Sequence, residues 1–202
     1  MLCSEAMRSD AATTPVPSVE IALVPATAAS DGGFVAEIAD LVNRVYAAAE
    51  EGLWVDTAAR TTTAEMAGLI AAGEIALARV DGEVVGCVRV QQLEGGEGEL
   101  GMLVADPARR GQGIGRDLVL FAEDLSRGRG CTVMQLELLV PRGWKHPTKE
   151  LLHAWYTRIG YRPVRSSAIE ESYPHLAPLL AGPCDFVVYH KRLTGPGVRA
   201  GG

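Results

Sequence analysis

The sequence predicts a single α/β domain in which helices flank a central mixed, mostly antiparallel β-sheet. Three observations lead to this prediction. The dipeptide Asp81-Gly82 joins two segments rich in β-branched residues, as in a β-hairpin. Apolar residues recur at helical spacing on both sides of this hairpin. Later in the chain a strand, a loop, a helix and another strand follow one another, and such a crossover makes its two strands parallel.

The 202 residues, 48% of them hydrophobic, suffice for one domain with a substantial core. We expect this domain to span residues 19–193. Residues 1–18 are polar and rich in Ala, Thr and Pro, and residues 194–202 are rich in Gly, so both are typical of flexible tails. No apolar run approaches the ~20 residues of a membrane span, and residues 1–18 lack the apolar core of a signal peptide. We therefore expect a cytoplasmic protein that does not bind membranes.

Charge and cysteine usage exclude two further classes. A formal net charge of −6 argues against a nucleic-acid partner and agrees with a cationic substrate, although acidity also simply keeps a protein soluble. The chain contains no C-x-x-C pair among its four cysteines, so we expect no metal site.

A strand and two helices begin the domain. Val19–Pro25 alternates as a strand that proline ends, and apolar spacing predicts a helix over Asp31–Glu50. Thr62 and Glu65 form a capping box for a second helix. The loop between the helices, residues 50–61, carries an aromatic residue and is of a kind that often borders a pocket.

An antiparallel meander follows. Asp81-Gly82 suits the left-handed backbone of a type I′ turn between strands at residues 74–80 and 83–93. A glycine-rich turn then leads into a third strand, Glu99–Ala105, which Asp106-Pro107 ends.

The crossover comes next. A helix closes near Gly128–Gly130, and Thr132–Val140 is the strand that we expect to be parallel to Glu99–Ala105. A further helix runs from Thr148 to Ile159, with an apolar stripe and Gly160 at its C′ position. A last strand, at residues 184–193, follows a Pro-rich segment.

The glycine loop at residues 109–115, RRGQGIG, resembles a phosphate-binding loop. The P-loop and dinucleotide patterns both fail, because Arg116 stands where each pattern needs a glycine. A third pattern, R/Q-x-x-G-x-G/A, is satisfied by Arg110, Gly113 and Gly115. Such glycines let backbone N–H groups approach phosphate oxygens at the positive end of the following helix, and nearby arginines add positive charge. A plain turn is the alternative interpretation.

Two segments in this order resemble the GNAT superfamily of N-acetyltransferases. Leu100–Glu123 is similar to the family's central coenzyme A motif, and Glu150–Tyr161 is similar to its tyrosine-bearing helix. The resemblance covers about residues 19–193 and implies a sheet whose one parallel strand pair splays around the cofactor, acetyl-CoA.

The resemblance also implies the cofactor contacts. The pantetheine arm would lie along the main chain of Leu103, Val104 and Ala105, where a backbone amide polarises the thioester carbonyl. The pyrophosphate would be bound by the loop residues Arg110, Gly111, Gln112, Gly113, Ile114, Gly115 and Arg116.

Tyr156 matches the family's general acid. Helical spacing places it on the flank of its helix, so its hydroxyl can reach a cleft, whereas a structural tyrosine is the alternative. Transfer of a proton from a phenol of pKa ~10 to a thiolate of thiol pKa ~8.5 is uphill by ~2 kcal/mol. Tyr156 therefore acts best as a hydrogen-bond donor to the sulfur, or else has a lowered pKa.

Glu137 is the candidate base. It lies mid-strand on the face opposite Met134 and Leu136, and a carboxylate there is costly to bury unless it is paired or used. Some family members carry a base at the matching position. A salt bridge to a nearby arginine is the alternative role, and Glu99 is a weaker alternative base.

Lys149 departs from the family pattern, in which many members have an asparagine seven residues before the tyrosine. We expect Lys149 to reach a polar group of the cofactor instead. The preceding loop is long, and Trp144, Lys145 and His146 are candidates for shaping the acceptor pocket. We expect His146 and His153 to be solvent-facing rather than catalytic bases.

The resulting hypothesis is direct transfer of an acetyl group from acetyl-CoA to a primary amine, on a small molecule or a peptide. A covalent acetyl-enzyme is disfavoured, because no cysteine lies in a recognisable nucleophile pattern. A non-catalytic acyl-CoA sensor and a transferase for a longer acyl group are the alternatives. The sequence leaves the oligomeric state open, and pairing of edge strands would give a homodimer.

Overall fold

The computed structural model describes residues 18–55, 59–174 and 176–193. Within these residues seven strands form one sheet in the order β1-β2-β3-β4-β5-β7-β6. The strands are β1 (Glu20–Leu23), β2 (Ile75–Val80), β3 (Glu83–Gln92), β4 (Gly98–Ala105), β5 (Val133–Pro141), β6 (Arg162–Ala168) and β7 (Cys184–Arg192). The helices are α1 (Gly32–Ala49), α2 (Thr63–Ala71), α3 (Ile114–Gly128), α4 (Pro147–Arg158) and the short α5 (Ile169–Ser172). The predicted tails lie, except for Ser18, outside the described residues, so the domain boundaries stay a prediction.

The predicted fold class is confirmed. Every neighbouring pair of strands is antiparallel except β4 and β5, which are parallel. The predicted hairpin between β2 and β3 turns at Asp81 and Gly82, whose φ angles of 52° and 84° are left-handed. The predicted capping box is also present, since Thr62 accepts from the Glu65 amide and Glu65 accepts from the Thr62 amide.

Helices cover both faces of the sheet. One apolar cluster joins α3 and α4 to one face, and a second joins α1 and α2 to the other face over β2, β3 and β4. Helix α3 lies close to the sheet because β3 has a glycine under it. A Cβ atom on Gly86 would lie 2.9 Å from Leu118 Cδ1 and 3.0 Å from the carbonyl oxygen of Val104.

A buried carboxylate ties α3 to β7. Glu123, 1% exposed, accepts hydrogen bonds from Lys191 at 2.7 and 2.8 Å and from the Tyr161 hydroxyl at 3.0 Å. Because the charge is paired and hydrogen-bonded, it can remain in the core.

Strand β6 was not predicted. Its sequence, RPVRSSA, is mostly exposed, so it lacks the apolar alternation that indicates a strand. It pairs only with β7 and forms an edge of the sheet, which is the position where a proline such as Pro163 is tolerated in a strand.

Helix α4 also differs from its prediction in detail. The predicted stripe of Leu152, Trp155 and Ile159 packs against the core but is only half-buried. The buried side chains of α4 are Lys149 and Tyr156. In the described parts of the chain, no helix has the length and hydropathy of a membrane crossing.

Candidate functional site

The parallel strands β4 and β5 separate after a short stretch of pairing. They are in register only at Gly98 with Met134 and at Glu99 with Gln135. Strand β4 also contains a bulge, since its register against β3 shifts by one residue and Met102 has a left-handed φ of 46°. From Leu100 onward, β4 therefore has no strand partner on its β5 side, and its main chain there is available to a ligand.

The residues predicted to hold the pantetheine arm lie along this open part of β4. Val104 and Ala105 pair with β3 at Cys87 and Gly86 on the other side. Leu103 lines a cavity of about 110 Å³ between the separated strands. An extended chain placed in this gap would run beside main-chain groups that the sheet leaves unpaired.

The glycine loop presents free backbone donors. Gly111 and Gly113 have φ angles of 88° and 83°, and Gly113 is the N-cap of α3 without a side-chain hydrogen bond to the first turn. Within the described residues no acceptor takes up the N–H groups of Gly111, Gly113, Ile114, Gly115 and Arg116. A run of unsatisfied amides at the positive end of a helix fits a phosphate group.

Positive charge surrounds this loop. Arg110 and Arg116 are exposed and form no ion pair with any described residue, and Gln112 is exposed beside them. Arg109 differs, because its guanidinium lies 2.9 Å from the carboxylate of Glu83. The free cations are therefore Arg110 and Arg116, which suits the predicted contact with a pyrophosphate.

Tyr156 lies against the cavity between the strands. It is 6% exposed, packs edge to face on Tyr161 with ring centroids 5.9 Å apart, and lines the cavity. No described residue hydrogen-bonds its hydroxyl. Burial, and then the nearby phenols of Tyr46 and Tyr189, raise the pKa of Tyr156 well above its usual value. A pKa shift in this direction keeps the hydroxyl protonated at neutral pH, as a hydrogen-bond donor requires.

Glu137 lines the same cavity from β5. Its carboxylate accepts a hydrogen bond of 2.8 Å from the Tyr173 hydroxyl, and it forms no ion pair with a described arginine. Burial raises the pKa of Glu137, the hydrogen bond from Tyr173 opposes that rise, and the charge of Glu99 adds to it. A raised pKa makes the carboxylate a better proton acceptor near neutral pH.

Glu99, the alternative base, is committed to a hydrogen-bond network. Its two carboxylate oxygens accept from Gln91 at 2.7 Å and from Gln135 at 2.8 Å. Gln135 in turn lies 2.9 Å from a ring nitrogen of His190. These bonds link strands β3, β4, β5 and β7 and leave Glu137 as the freer carboxylate.

Lys149 forms a buried ion pair with Glu50. Its ammonium lies 2.6 Å from the carboxylate, whose other oxygen accepts a hydrogen bond of 2.7 Å from the Trp54 indole. The two charged side chains are 5% and 8% exposed. Lys149 also lines the cavity between the strands, so its contact with the cofactor stays a prediction. Sequence reasoning did not identify Glu50, which ends α1.

A larger cavity of about 250 Å³ opens beside the first. The two share four lining residues: Tyr46, Glu50, Trp54 and Arg60. Among these four residues are Tyr46 and Arg60, and no sequence motif pointed to either of them. The only hint was the aromatic residue in the loop at residues 50–61, which does border the pocket.

The loop before α4 lies elsewhere. Trp144, Lys145 and His146 line neither of the two cavities. His146 is buried rather than solvent-facing: its Nδ1 caps α4 by accepting from the Thr148 amide at 3.2 Å, and its Nε2 lies 3.2 Å from the Glu51 carbonyl. A helix cap needs an acceptor at the start of the helix, and His146 supplies it, so its role is structural.

His153 is exposed, as predicted, and its Nδ1 lies 2.6 Å from the Tyr189 hydroxyl. Among the described residues no three His, Cys, Asp or Glu side chains are grouped closely enough to hold a metal ion.

Solved structures with a similar fold include acetyltransferases. The PaiA N-acetyltransferase of Thermoplasma acidophilum in complex with coenzyme A is 13% identical, with a TM-score of 0.64 over 87% of this chain and 99% of that one. An aminoglycoside 6'-acetyltransferase type Ii is 19% identical, with a TM-score of 0.60 over 88% and 99%. The N-acetylglutamate synthase of Neisseria gonorrhoeae is 18% identical, with a TM-score of 0.60 over 90% of this chain but only 36% of that chain. At these identities the likeness establishes the fold.

A search of the curated proteins gives no match. The profile of the acetyltransferase (GNAT) family matches residues 35–144, which is more than half of the chain and includes the glycine loop and the separated strands. The chain therefore belongs to the GNAT family of acetyltransferases.

Proposed function

We propose that the protein transfers an acetyl group from acetyl-CoA to a primary amine, by direct transfer while both substrates are bound. The observation that carries this proposal is the cavity between β4 and β5. It brings a protonated phenol, Tyr156, and a carboxylate with a raised pKa, Glu137, to one space beside unpaired main chain.

Acetyl-CoA is the donor and supplies an activated acetyl thioester. The free amides of residues 111 and 113–116, with Arg110 and Arg116, suit its pyrophosphate. The open side of β4 at Leu103, Val104 and Ala105 suits its pantetheine arm. Lys149 has further N–H donors beyond the one that Glu50 accepts, and a polar group of the donor is their partner in this proposal.

Tyr156 keeps its proton and donates a hydrogen bond to the sulfur as negative charge develops there. The departing thiolate takes up, through solvent, the proton that the nitrogen loses as the amide forms. Because burial raises its pKa, the hydroxyl is fully protonated at neutral pH and has an unused hydrogen to donate. A donor that meets charge only as it develops stabilises the transition state more than the ground state.

Glu137 receives the proton of the attacking amine, directly or through water. The raised pKa of Glu137 lies closer to the pKa of the acceptor's ammonium group, so proton transfer between them is less unfavourable. The hydrogen bond from the Tyr173 hydroxyl fixes the direction of the carboxylate. The amine thus becomes neutral, as its attack on the thioester requires.

Direct transfer agrees with the placement of the three cysteines that the structure describes. Cys87, Cys131 and Cys184 are buried, and none of them lines either of the two adjoining cavities. Burial also raises the pKa of Cys87 to about 12, which leaves almost no thiolate at neutral pH.

The variant Tyr156→Phe tests the proposal, because it removes one hydroxyl and keeps the ring packing. We expect kcat for thiol release from acetyl-CoA to fall by about 10²-fold with an amine acceptor. We expect the calorimetric Kd for coenzyme A to stay the same. Unchanged turnover in this variant would refute the role proposed for the Tyr156 hydroxyl. Coenzyme A binding without turnover of any amine by the wild type would favour an acyl-CoA sensor.

A further inference from the structure

The two adjoining cavities contain an arginine that pairs with no carboxylate of the described residues, Arg60. We propose that Arg60 binds the carboxylate of the acceptor, and that the acceptor is an α-amino acid with an apolar side chain. This inference rests on the proposed function, because it names the acceptor of the same transfer reaction.

Arg60 differs from those arginines of the described structure that form ion pairs. Its guanidinium carbon lies 5.1 Å from the centroid of the Tyr46 ring, and it lines both cavities. No carboxylate of the described residues lies within 4.0 Å of it, whereas several arginines have one: Arg89, Arg109, Arg127 and Arg142. The Arg60 side chain also hydrogen-bonds the Tyr46 hydroxyl. Because a guanidinium has five N–H donors in a planar fork, others remain for a carboxylate.

The backbone next to Arg60 is anchored. The Asn43 side chain donates to the carbonyl of Thr61 and accepts from its amide, both at 3.0 Å. Thr61 is 1% exposed, and the capping box of Thr62 and Glu65 follows at once. Arg60 thus extends from a fixed point of the chain, which lowers the entropy that a ligand must remove on binding.

The other charges of the cavities leave one place for a carboxylate. Lys149 is neutralised by Glu50, so it attracts no further anion strongly. Glu51 and Glu137 are acidic and repel a carboxylate, and Glu137 is the group proposed to receive the proton of the amine. An acceptor that carries both an amine and a carboxylate therefore places its amine at Glu137 and its carboxylate at Arg60.

The separation of these groups limits the acceptor. Arg60 and Glu137 both line the smaller cavity of about 110 Å³, so one small acceptor can present its carboxylate to Arg60 and its amine to Glu137, and an α-amino acid carries these two groups on one carbon. The larger cavity is lined by apolar side chains that suit an aliphatic or aromatic group: Trp54, Val55, Leu176 and Leu179. Together these features favour an α-amino acid with an apolar side chain.

The test compares three acceptors that share one amine and one apolar body: leucine, leucinamide and 3-methylbutylamine. Thiol release at saturating acetyl-CoA gives kcat/KM for the wild type, for Arg60→Gln and for the control Arg44→Gln. Arg44 is exposed on α1 and lines neither cavity. Because the three amines differ in intrinsic pKa, the quantity compared is the ratio of wild type to variant for each acceptor.

We expect Arg60→Gln to lower kcat/KM for leucine by about 10- to 100-fold, as for a lost charge-assisted hydrogen bond. The other two acceptors should change by less than about 3-fold, since they lack the carboxylate, and Arg44→Gln should behave as the wild type. An equal loss for all three acceptors, or turnover of other amines but not of leucine, would overturn the inference and leave the proposed function standing.

If no amine is turned over, titration calorimetry of leucine into the protein saturated with coenzyme A decides the matter. Leucine binding that Arg60→Gln abolishes and Arg44→Gln retains would support the site even though the proposed function had failed. Absence of leucine binding to the wild type would overturn the inference.

Discussion

The Lys149 ammonium lies 2.6 Å from a carboxylate oxygen of Glu50, and this ion pair joins the start of α4 to the end of α1 at the wall of the smaller cavity. The Trp54 indole holds the second carboxylate oxygen. Two charges buried together require each other, because either one alone is costly in the protein interior.

The first prediction concerns this pair. Lys149→Met leaves the Glu50 carboxylate buried with only the Trp54 indole, so we expect the free energy of unfolding in urea to fall by about 3–5 kcal/mol. The double variant Glu50→Gln/Lys149→Met should recover part of that loss, because a glutamine oxygen still accepts from the indole. The exposed pair of Lys145 and Glu150, 3.5 Å apart, is the matched control. Lys145→Met should cost less than about 1 kcal/mol.

An equal loss from Lys149→Met and Lys145→Met would show that burial of the first pair has no energetic consequence. The folded double variant also tests the predicted cofactor contact of Lys149. Its Kd for coenzyme A should rise if the ammonium binds the donor.

The second prediction concerns the acidic limb of the pH profile. A general base is active only when deprotonated, so kcat/KM should fall as the pH falls through the pKa of Glu137. Burial raises that pKa above its usual 4.5, and the Tyr173 hydrogen bond opposes the rise. Tyr173→Phe removes the opposing hydrogen bond, so the midpoint of the limb should move to higher pH. Glu137→Gln should abolish the limb that belongs to this group.

The acceptor amine titrates too, but equally for every variant, so differences between the profiles report on the protein. The same midpoint in the wild type, Tyr173→Phe and Glu137→Gln would exclude Glu137 as the base.

The third prediction separates the free from the paired arginines at the glycine loop. Arg110→Gln and Arg116→Gln should each weaken binding of coenzyme A by about 2- to 10-fold at low ionic strength. The effect should shrink in high salt, because exposed charges are screened. Arg109→Gln is the control, since Arg109 pairs with Glu83 at 2.9 Å and should change the Kd little. If all three variants weaken binding of coenzyme A equally and independently of salt, the contact of Arg110 and Arg116 with the pyrophosphate is wrongly assigned.

Local patterns were sufficient for most of the fold. The Asp81-Gly82 turn, the Thr62 cap and the order of strand, glycine loop and helix each depend on residues a few positions apart. Strand β6 was missed, because it is an exposed edge strand whose polar sequence lacks the alternation that burial imposes.

The candidate site was only partly predictable. Tyr156 and the glycine loop lie in motifs, so a resemblance could identify them, whereas Glu137 was identified from its position on the strand between the two motifs. The partner of Lys149 lies 99 positions away at Glu50, and no spacing rule connects the two. No sequence pattern marks Arg60 either, because its distance from the described carboxylates is a property of the folded chain. The same holds for His146, whose capping role depends on the chain direction at the start of α4.

The most direct test of the account is rapid-quench mass spectrometry with isotopically labelled acetyl-CoA and leucine. Intact protein and small molecules are measured at each time during the first turnover. Direct transfer predicts that the label passes to N-acetylated leucine, that one coenzyme A thiol appears for each product, and that the protein mass never changes. Label on Cys87, Cys131 or Cys184 before product forms would contradict direct transfer, and bound acetyl-CoA that yields no acetylated product with leucine, leucinamide or 3-methylbutylamine would contradict the transferase itself.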